Sequence, residues 1–507
     1  MYRLMSVMVC GLLVLSSKSI AQPNLLEASI EDLQDWLSSG EITSVELVGW
    51  YQQRINAYDQ QGPSLNAIQH HNGNVLAQAK VLDDERTRSG PRSLLHGIPV
   101  LVKDNYETID MPTTAGSAII DGHWPQRDAT QVARLKAAGA IILAKTTMHE
   151  FAYGWTTRGS AFGVTRNPYG PDRHPGGSSG GTGAAVAANF AAVGMGSDTC
   201  GSIRVPAAHN NLVGLRGTQG ISSRTGIVPL SSSRDIGGPL ARSVRDLAIT
   251  LDATVGYDPL DVQTVESFGK IPDSYLNGLR QLDMSGWRIG VLTDWFATEP
   301  ENGAVNERIR GVLTALADDG ASIIRLTSPE LIELKAKTSA PAANFVDAYD
   351  LKKDLTAYLQ QYPALPVQSF VELATDQRLS SDVVPLWEEM MSPSYDSRET
   401  YLERHADGKR MRTELLTLYQ AHNLDILAYP TATREAAKLG ETQQHFNCKL
   451  AAVSGLPAIS VPAGFGNHDM PVAIEFMAEP WGEQKLLNLA YTVEQLVPAR
   501  KLSKHTP

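Results

Sequence analysis

The chain has 507 residues, a formal net charge of −11 and the composition of a globular enzyme with a sizeable core, 42% hydrophobic and 20% charged. The acidic balance argues against a nucleic-acid partner, for which a basic patch is expected. The chain is longer than most single domains, although large α/β enzymes of greater than usual length can form one domain.

The first 21 residues have the pattern of a secretory signal peptide. Arg3 precedes an apolar run from Leu4 to Leu15, which is shorter than the roughly 20 residues that a membrane-spanning helix needs. The small residues at Ser19-Ile20-Ala21 then offer a cleavage site. We therefore predict cleavage near Ala21, a mature chain of residues 22–507 without a membrane span, and a periplasmic or secreted location. An uncleaved anchor or a misassigned start is the alternative.

The cysteines are too few to define a disulfide framework. Cys10 would leave with the signal peptide, so that Cys200 and Cys448 remain in the mature chain. The sequence alone leaves open whether these two residues pair with each other.

Helix and strand patterns alternate along the first part of the mature chain. Residues 25–88 are predicted to be helical, with capping residues at Ser29 and Thr43 that are each followed by an acidic residue. The apolar run from Ile98 to Val102 predicts a buried strand of a parallel or mixed sheet. A further helix is predicted at Thr130–Ala138, followed by another strand.

Lys103 ends the apolar run, at the kind of position where ligands bind in open α/β sheets. A lysine can act as a base only when it is neutral, so its pKa would have to fall by roughly three units from about 10.4, which burial can supply. On composition alone, a surface lysine paired with Asp104 is the commoner arrangement.

Two glycine-rich turns with serines follow, GGSSGG at residues 176–181 and CGSIR at residues 200–204. Glycine takes positive φ without a steric cost, so these turns can bend sharply and present a serine to a substrate. A serine hydroxyl becomes an effective nucleophile when a neighbouring base takes its proton. The two turns are therefore the candidate sites of nucleophilic chemistry.

Three other motifs match only in part. The sequence GSSGG fits the G-x-S-x-G nucleophile elbow, with Ser179 as nucleophile, but the elbow requires a preceding strand and prolines at 168, 171 and 175 disfavour one. Ser267 begins an S-x-x-K match that lacks its companion motifs. GGSSGGTG is not followed by the Lys-Ser/Thr of a phosphate-binding loop.

A metal site is not predicted. His149-Glu150 begins an H-E-x-x-H pattern, but Tyr153 occupies the position of the second histidine. Since no other cluster of metal-ligating residues stands out, we assign neither a metal nor a cofactor.

A lysine after a buried strand, GGSSGG and D-x-x-G-S-I-R-x-P occur in the order and spacing of the amidase signature family, which the chain resembles. The resemblance fades between about residues 270 and 420, returns at LDILAYP and SGLPAISVPAGF, and covers roughly half to two thirds of the chain. It implies a single α/β domain with a large twisted mixed β-sheet, covered by helices on both faces. The variable region would form the outer wall of the substrate pocket.

The resemblance also implies a Ser-Ser-Lys triad. Ser202 corresponds to the nucleophile, Ser178 to the bridging serine and Lys103 to the base, with a cis peptide bond between Gly177 and Ser178. Lys103 would take a proton from Ser178, which would take one from Ser202 as its oxygen attacks the amide carbon. Water would then hydrolyse the acyl-enzyme.

An oxyanion hole is predicted in the second turn, because a glycine-bearing turn can aim successive amides at one point. The candidate donors are the backbone N–H groups of Thr199, Cys200, Gly201 and Ser202. Cys200 stands where glycine is usual in the family, which adds a side chain near the nucleophile. Asp198 and Arg204 are expected to brace the turn as an ion pair. The other supporting residues are Gly177 and Ser179, and Asp235 belongs to a loop that lies near the catalytic centre in the family.

The predicted function is hydrolysis of a small-molecule or peptide carboxamide without a cofactor. An esterase of the same fold is the near alternative, and a catalytically silent binding protein is an alternative from another class. The presence of Lys103, Ser178 and Ser202 weakens the second alternative. The signal peptide argues against the family's tRNA-dependent amidotransferase subunit, which works with cytosolic partners. The sequence leaves the acyl group, the leaving amine and the oligomeric state open.

Overall fold

A computed structural model describes residues 23–339 and 345–507, so the predicted signal peptide lies outside the described residues. The helices of this part of the chain are α1 (Ile30–Ser39), α2 (Ser44–Tyr58), α3 (Val75–Ser89), α4 (Thr130–Ala137), α5 (Gly180–Ala187), α6 (Arg204–His209), α7 (Val244–Thr254), α8 (Gly303–Asp318), α9 (Pro329–Ser339), α10 (Phe345–Leu359), α11 (Phe370–Ala374), α12 (Val384–Met390), α13 (Arg398–His422), α14 (Lys449–Ser454) and α15 (Glu483–Leu496). Its strands are β1 (Ile68–His71), β2 (Pro99–Lys103), β3 (Ile141–Thr146), β4 (Arg158–Gly159), β5 (Gly163–Val164), β6 (Val193–Asp198), β7 (Val213–Arg216), β8 (Ile236–Ala241), β9 (Arg288–Leu292), β10 (Ser322–Leu326), β11 (Ile426–Pro430), β12 (Ala458–Phe465) and β13 (Pro471–Met477).

Eleven of these strands form one mixed sheet in the order β1-β3-β2-β6-β8-β7-β12-β13-β11-β9-β10. Pairing is parallel between β2 and β3, β2 and β6, β9 and β10, and β9 and β11, whereas the other neighbours are antiparallel. Apolar side chains from the sheet and its covering helices merge into the largest core cluster. The predicted α/β fold with a large mixed sheet is confirmed.

The first helices begin where the capping residues predict. Ser29 before α1 and Thr43 before α2 each form a capping box with the acidic residue three positions later. Between α2 and α3, however, the chain forms strand β1, which the helical interpretation of residues 25–88 missed. This strand pairs with β3, more than 70 residues later, and a long-range partner of this kind leaves no local pattern.

The region 270–420 is part of the main sheet as well as of the helical layers. It supplies helices α8 to α13, but it also supplies β9 and β10, which continue the main sheet to its edge. Strand β11 joins β9 to β13 and thereby ties this region to the rest of the sheet. No helix in residues 23–339 or 345–507 combines the length and the apolar character needed to cross a membrane.

The candidate site lies where β2 and β6 end side by side. These strands are parallel, with Val102 opposite Met195, so that Lys103 lies beside the last residues of β6. Helix α5 packs closely on β6 at Gly194, where an added Cβ would lie 2.5 Å from the side chain of Thr182. The close approach places the turn that precedes α5 and the turn that follows β6 next to each other.

Candidate active site

Lys103 is fully buried and its amine contacts two serine hydroxyls. Its Nζ lies 2.7 Å from Oγ of Ser178 and 2.8 Å from Oγ of Ser197. The amide of Asn105 also donates to Ser197 Oγ, at 3.0 Å. The alternative pairing with Asp104 does not occur, because that carboxylate forms a buried ion pair with Lys145 at 3.3 Å.

The environment of Lys103 favours the neutral amine. Burial penalises the cation and lowers the pKa of Lys103 from 10.5 to about 7, and the carboxylates of Asp235 and Asp198 only partly oppose this shift. A buried lysine with a pKa near neutrality is suited to general-base chemistry.

The first glycine-rich turn holds both of its serines in buried positions. The peptide bond between Gly177 and Ser178 is cis, as the family resemblance implied. Ser179 is also fully buried, and its hydroxyl donates to the carbonyl of Ser197 at 3.2 Å. No strand precedes Ser179 directly in the described part of the chain, so the structural context of a nucleophile elbow is missing.

Ser202 lies at the surface of a cavity of about 720 Å³. It lies in the loop between β6 and α6. Its carbonyl accepts a hydrogen bond from the amide of Ser179 at 3.3 Å, which links the two turns. No hydrogen bond joins the hydroxyls of Ser178 and Ser202 in the described part of the chain. The structure therefore contains the contact from Lys103 to Ser178, and places Ser202 where a substrate can reach it.

Three of the four candidate oxyanion donors are available. The amide of Gly201 donates to the Asp198 carboxylate at 2.8 Å and is therefore not free to receive an oxyanion. Within residues 23–339 and 345–507, the amides of Thr199, Cys200 and Ser202 donate to no protein acceptor. Because all three lie within four consecutive residues, they form a compact group of backbone donors beside the cavity.

A buried ion cluster holds the base of this loop. Asp198 pairs with Arg204 at 3.1 Å, as expected, and also with Arg216 at 2.9 Å, while Arg204 also binds Glu475. Burial alone would raise the pKa of Asp198, but the two guanidinium groups outweigh it and hold the pKa well below its usual range. Arg204 does not line the cavity, so its position does not suit it to bind a substrate carboxylate.

Asp235 connects the loop to a neighbouring segment. Its carboxylate accepts hydrogen bonds from the Thr199 hydroxyl and from the amides of Leu230 and Ser231. Burial raises the pKa of Asp235 to about 6, although these hydrogen bonds work against the shift. Asp235 therefore both fixes Thr199 and contributes a charge near Lys103.

Cys200 and Cys448 form a disulfide, which resolves the question that the sequence left open. The carbonyl of Cys200 also accepts a hydrogen bond from the indole N–H of Trp155 at 3.0 Å. Trp155 in turn packs against Phe446, with ring centroids 5.7 Å apart. The segment before α14 is thus joined directly to the loop that carries Ser202.

The cavity wall combines aromatic residues with carboxylates that contact basic side chains. Asp347 pairs with Arg234 at 2.7 Å, and Asp382 pairs with His149 at 3.3 Å. A second cavity of about 550 Å³ adjoins the first. The side chains shared by the two walls are those of Tyr153, Trp155, Leu386, Gln444 and Lys449. Several of the residues that line the two cavities come from the variable region.

His149 and Glu150, which begin the partial H-E-x-x-H pattern, contact different partners in the structure. His149 pairs with Asp382, whereas the carboxylate of Glu150 is buried and accepts hydrogen bonds from the Ser160 hydroxyl and the Ser380 amide. His149 lines the larger cavity, whereas Glu150 is buried behind it.

Several residues of the site escaped prediction from the sequence. Ser197 and Asn105 contact or support the base, Arg216 and Glu475 complete the ion cluster, and Trp155 fixes the carbonyl of Cys200. Asn105, Arg216 and Glu475 lie in family-like stretches, HGIPVLVKDN, GLRGT and PVAIEFM, but the stretches gave no role for these residues. The contacts of all five depend on strand pairing and loop packing.

Comparison with known proteins identifies the family. A model of the amidase family matches residues 46–487, so the chain belongs to this family. The chain is 35% identical to a glutamyl-tRNA(Gln) amidotransferase subunit from Thermus thermophilus over 471 residues, covering 90% of this chain and 95% of that protein. Its structure resembles native peptide amidase from Stenotrophomonas maltophilia, with a TM-score of 0.86, 34% identity and coverage of 94% and 99% of the two chains. An amidase family protein from Bacillus anthracis gives a TM-score of 0.81 and 31% identity, with 95% of this chain and 93% of that chain covered.

These likenesses assign the chain to the amidases. The family and the structural neighbours support hydrolysis of an amide C–N bond through a serine-based mechanism. Neither an esterase nor a silent binding protein is favoured by them.

Proposed function

We propose that this protein is an exported, free-standing amidase that hydrolyses carboxamides through an acyl-enzyme on Ser202. The observation that carries the proposal is the buried amine of Lys103, which lies 2.7 Å from the Ser178 hydroxyl beside the cavity that Ser202 lines. A base, a bridging hydroxyl and an accessible hydroxyl thus occur together, next to free backbone donors.

In the proposed acylation, neutral Lys103 accepts the proton of Ser178 while Ser178 accepts the proton of Ser202. The Ser202 oxygen bonds to the amide carbon, and the developing oxyanion receives hydrogen bonds from the amides of Thr199, Cys200 and Ser202. The relay then runs backwards and protonates the leaving nitrogen as the C–N bond breaks. Water hydrolyses the resulting ester by the same proton path.

Peptide amides are the proposed substrate class. The cavity of about 720 Å³ can hold a ligand larger than a simple aliphatic amide. Two of its wall carboxylates, Asp347 and Asp382, each contact a basic side chain, which suits an uncharged reacting group. The similarity to a peptide amidase points to the same class.

Labelling with a fluorophosphonate probe, followed by peptide mapping, tests the nucleophile. We expect one adduct on Ser202, and we expect Ser202→Ala and Lys103→Ala to fold but to lose turnover of peptide amides. Ser179→Ala should lose less activity, because Ser179 bonds to the backbone of Ser197 rather than to Lys103. Normal turnover by folded Ser202→Ala would refute the mechanism, and an adduct on Ser179 would support the elbow.

A substrate panel separates the remaining alternatives. Peptide C-terminal amides, short aliphatic amides and esters with matching acyl groups would be compared by kcat/KM. Preference for the peptide amides supports the proposal, whereas hydrolysis of the esters alone would identify an esterase. Turnover of none of them, together with absence of labelling, would identify a silent binding protein.

Export is proposed from the pattern of residues 1–21 and is supported by the Cys200–Cys448 disulfide, since disulfides persist mainly in oxidising compartments. The same two features argue for a free-standing enzyme rather than one component of an amidotransferase. Expression of the full chain in a bacterial host, fractionation and N-terminal sequencing test this point. We expect a mature protein in the periplasm or medium that begins at or near Gln22; an intact N-terminus in the cytosolic fraction would contradict export.

A further inference from the structure

The disulfide joins the predicted oxyanion loop to a segment that is distant in sequence. Cys200 lies two residues before Ser202, and Cys448 immediately precedes α14, 248 residues further along the chain. They are the only cysteines of residues 22–507. Cys200 lines the larger cavity and Cys448 lines the adjoining one, so the cross-link lies in the wall between the two.

The partner segment also packs tightly against the loop backbone. Gly201 has a φ of 86°, and a Cβ added there would lie 2.6 Å from Cβ of Cys448. The carbonyl of Cys448 accepts a hydrogen bond from Arg204 at 3.1 Å. Arg204 binds Asp198, whose carboxylate holds the amide of Gly201. The loop and the start of α14 therefore form one packed unit.

Three consecutive residues of the loop, Thr199 to Gly201, are held by different contacts. The side chain of Thr199 is fixed by Asp235, and the amide of Gly201 by Asp198. Between them, Cys200 is held at its carbonyl by Trp155 and at its side chain by the disulfide. The cross-link thus holds the side chain of the residue whose free amide is a candidate oxyanion donor.

We propose that Cys448 is a positioning residue for amide hydrolysis: through its disulfide it holds Cys200 so that the free amides of the loop point at the oxyanion. This inference rests on the proposed function. A misplacement of about 1 Å can cost roughly 100-fold in rate, and loss of one oxyanion donor costs about 100- to 1,000-fold in kcat. The disulfide therefore supports the transition state more than it supports substrate binding.

Reduction and substitution of Cys448 test the proposal. Dithiothreitol would supply two electrons and two protons to the sulfur–sulfur bond, leaving two thiols on the protein and the cyclic disulfide of the reagent. We expect reduced wild-type protein and Cys448→Ala each to lose at least about 10-fold in kcat, with KM changed less than about twofold. Dithiothreitol should have no further effect on Cys448→Ala.

Ala452→Gly is the matched control. It lies in the helix that follows Cys448 and in the same apolar cluster as the disulfide, and it weakens the helix by about 1 kcal/mol without releasing the cross-link. We expect its kcat to remain within about twofold of the wild type. An equal loss of kcat in Ala452→Gly would overturn the proposal, since the effect would then belong to helix stability. A change confined to KM, an unchanged kcat after verified reduction, or alkylation of both thiols in the untreated protein would overturn it as well.

A substrate-independent measurement separates this proposal from the proposed function. Hydrogen–deuterium exchange of a peptide spanning residues 197–204 should accelerate when the disulfide is reduced, with the rest of β6 unchanged. If oxidised wild-type protein hydrolysed no amide, the proposed function would fail, while accelerated exchange would still support the anchoring of the loop. Unchanged exchange would overturn the anchoring itself.

Discussion

The burial of Lys103 has opposite effects on catalysis and on stability. A base must be neutral near physiological pH, and burial makes it so by lowering the pKa to about 7. The same burial costs stability, because the unfolded chain can keep its lysine charged and hydrated. Burial of Lys103 therefore favours catalysis at the proposed active site and lowers the free energy of unfolding.

The first prediction concerns the stability of Lys103→Met. Between pH 7 and 10.5, Lys103 is protonated in the unfolded chain and neutral in the folded chain. Its burial therefore lowers the free energy of unfolding most at pH 7 and below, and this loss of stability disappears as the pH rises towards 10.5. The shift corresponds to at most about 5 kcal/mol, from which the lost contacts with two serines must be subtracted. We expect the inactive variant to be more stable than the wild type at pH 7. Denaturant unfolding at pH 7 and 10 measures this, and a difference that grows with pH would contradict it.

The second prediction concerns Asp235→Asn. The activity of the wild type should rise with pH as Lys103 loses its proton, with an acidic limb in kcat/KM near pH 7. The Asp235 carboxylate raises the pKa of Lys103, and its removal should move this limb to lower pH. Asparagine retains one oxygen for the Thr199 hydrogen bond but offers no second acceptor to the amides of Leu230 and Ser231. The position of the limb on the pH axis is therefore compared separately from the maximal kcat, which reports on the shape of the loop. The pH profiles of the two proteins provide the test, and a limb that moves to higher pH would exclude Lys103 as the base.

At the scale of elements, the contact between α5 and β6 brings the two serine-bearing turns together. Gly194 permits this contact, since an added Cβ would come within 2.5 Å of Thr182 and 3.0 Å of Val186. The turn with Ser178 leads directly into α5, and the loop with Ser202 follows β6. A displacement of α5 relative to β6 would therefore change the position of Ser178 relative to Ser202.

The third prediction compares two Gly→Ala substitutions. Gly194→Ala should lower both the free energy of unfolding and kcat, because α5 must move away from β6. Gly311→Ala, at an exposed position in α8 where a Cβ would meet nothing within 4 Å, should add about 1 kcal/mol of stability with kcat unchanged. Denaturant unfolding and turnover of one peptide amide check both variants. Wild-type activity in Gly194→Ala would show that this contact does not position the serines.

Local elements and motifs were predictable, and contacts across the sheet were not. Ser29 and Thr43 mark helix starts through chemistry confined to four residues, and Lys103 is recognisable at the end of its strand. Ser197 could not be paired with Lys103, because that requires knowing that β2 and β6 are neighbours. The Cys200–Cys448 link likewise depends on how α14 packs, and the freedom of each loop amide depends on hydrogen bonds such as that from Gly201 to Asp198.

For the whole molecule, the fourth prediction is a single cooperative unfolding of residues 22–507. The variable region contributes β9 and β10 to the main sheet, so it has no separate sheet of its own in the described ranges. Thermal unfolding monitored by tryptophan fluorescence, circular dichroism and loss of activity should give coincident transitions. Two separated transitions would contradict the prediction of one mature domain.

The position of β9 and β10 at one edge of the sheet has an evolutionary consequence. The proposed acid–base groups are attached to strands β2 and β6 well inside the sheet, whereas residues that follow β9 and residues of α9, α12 and α13 line the cavity that adjoins the proposed active site. Insertions and substitutions at the edge can therefore reshape the pocket without shifting the atoms that make and break bonds. A lineage built on this plan can acquire new substrates by changing its periphery while inheriting its reaction intact.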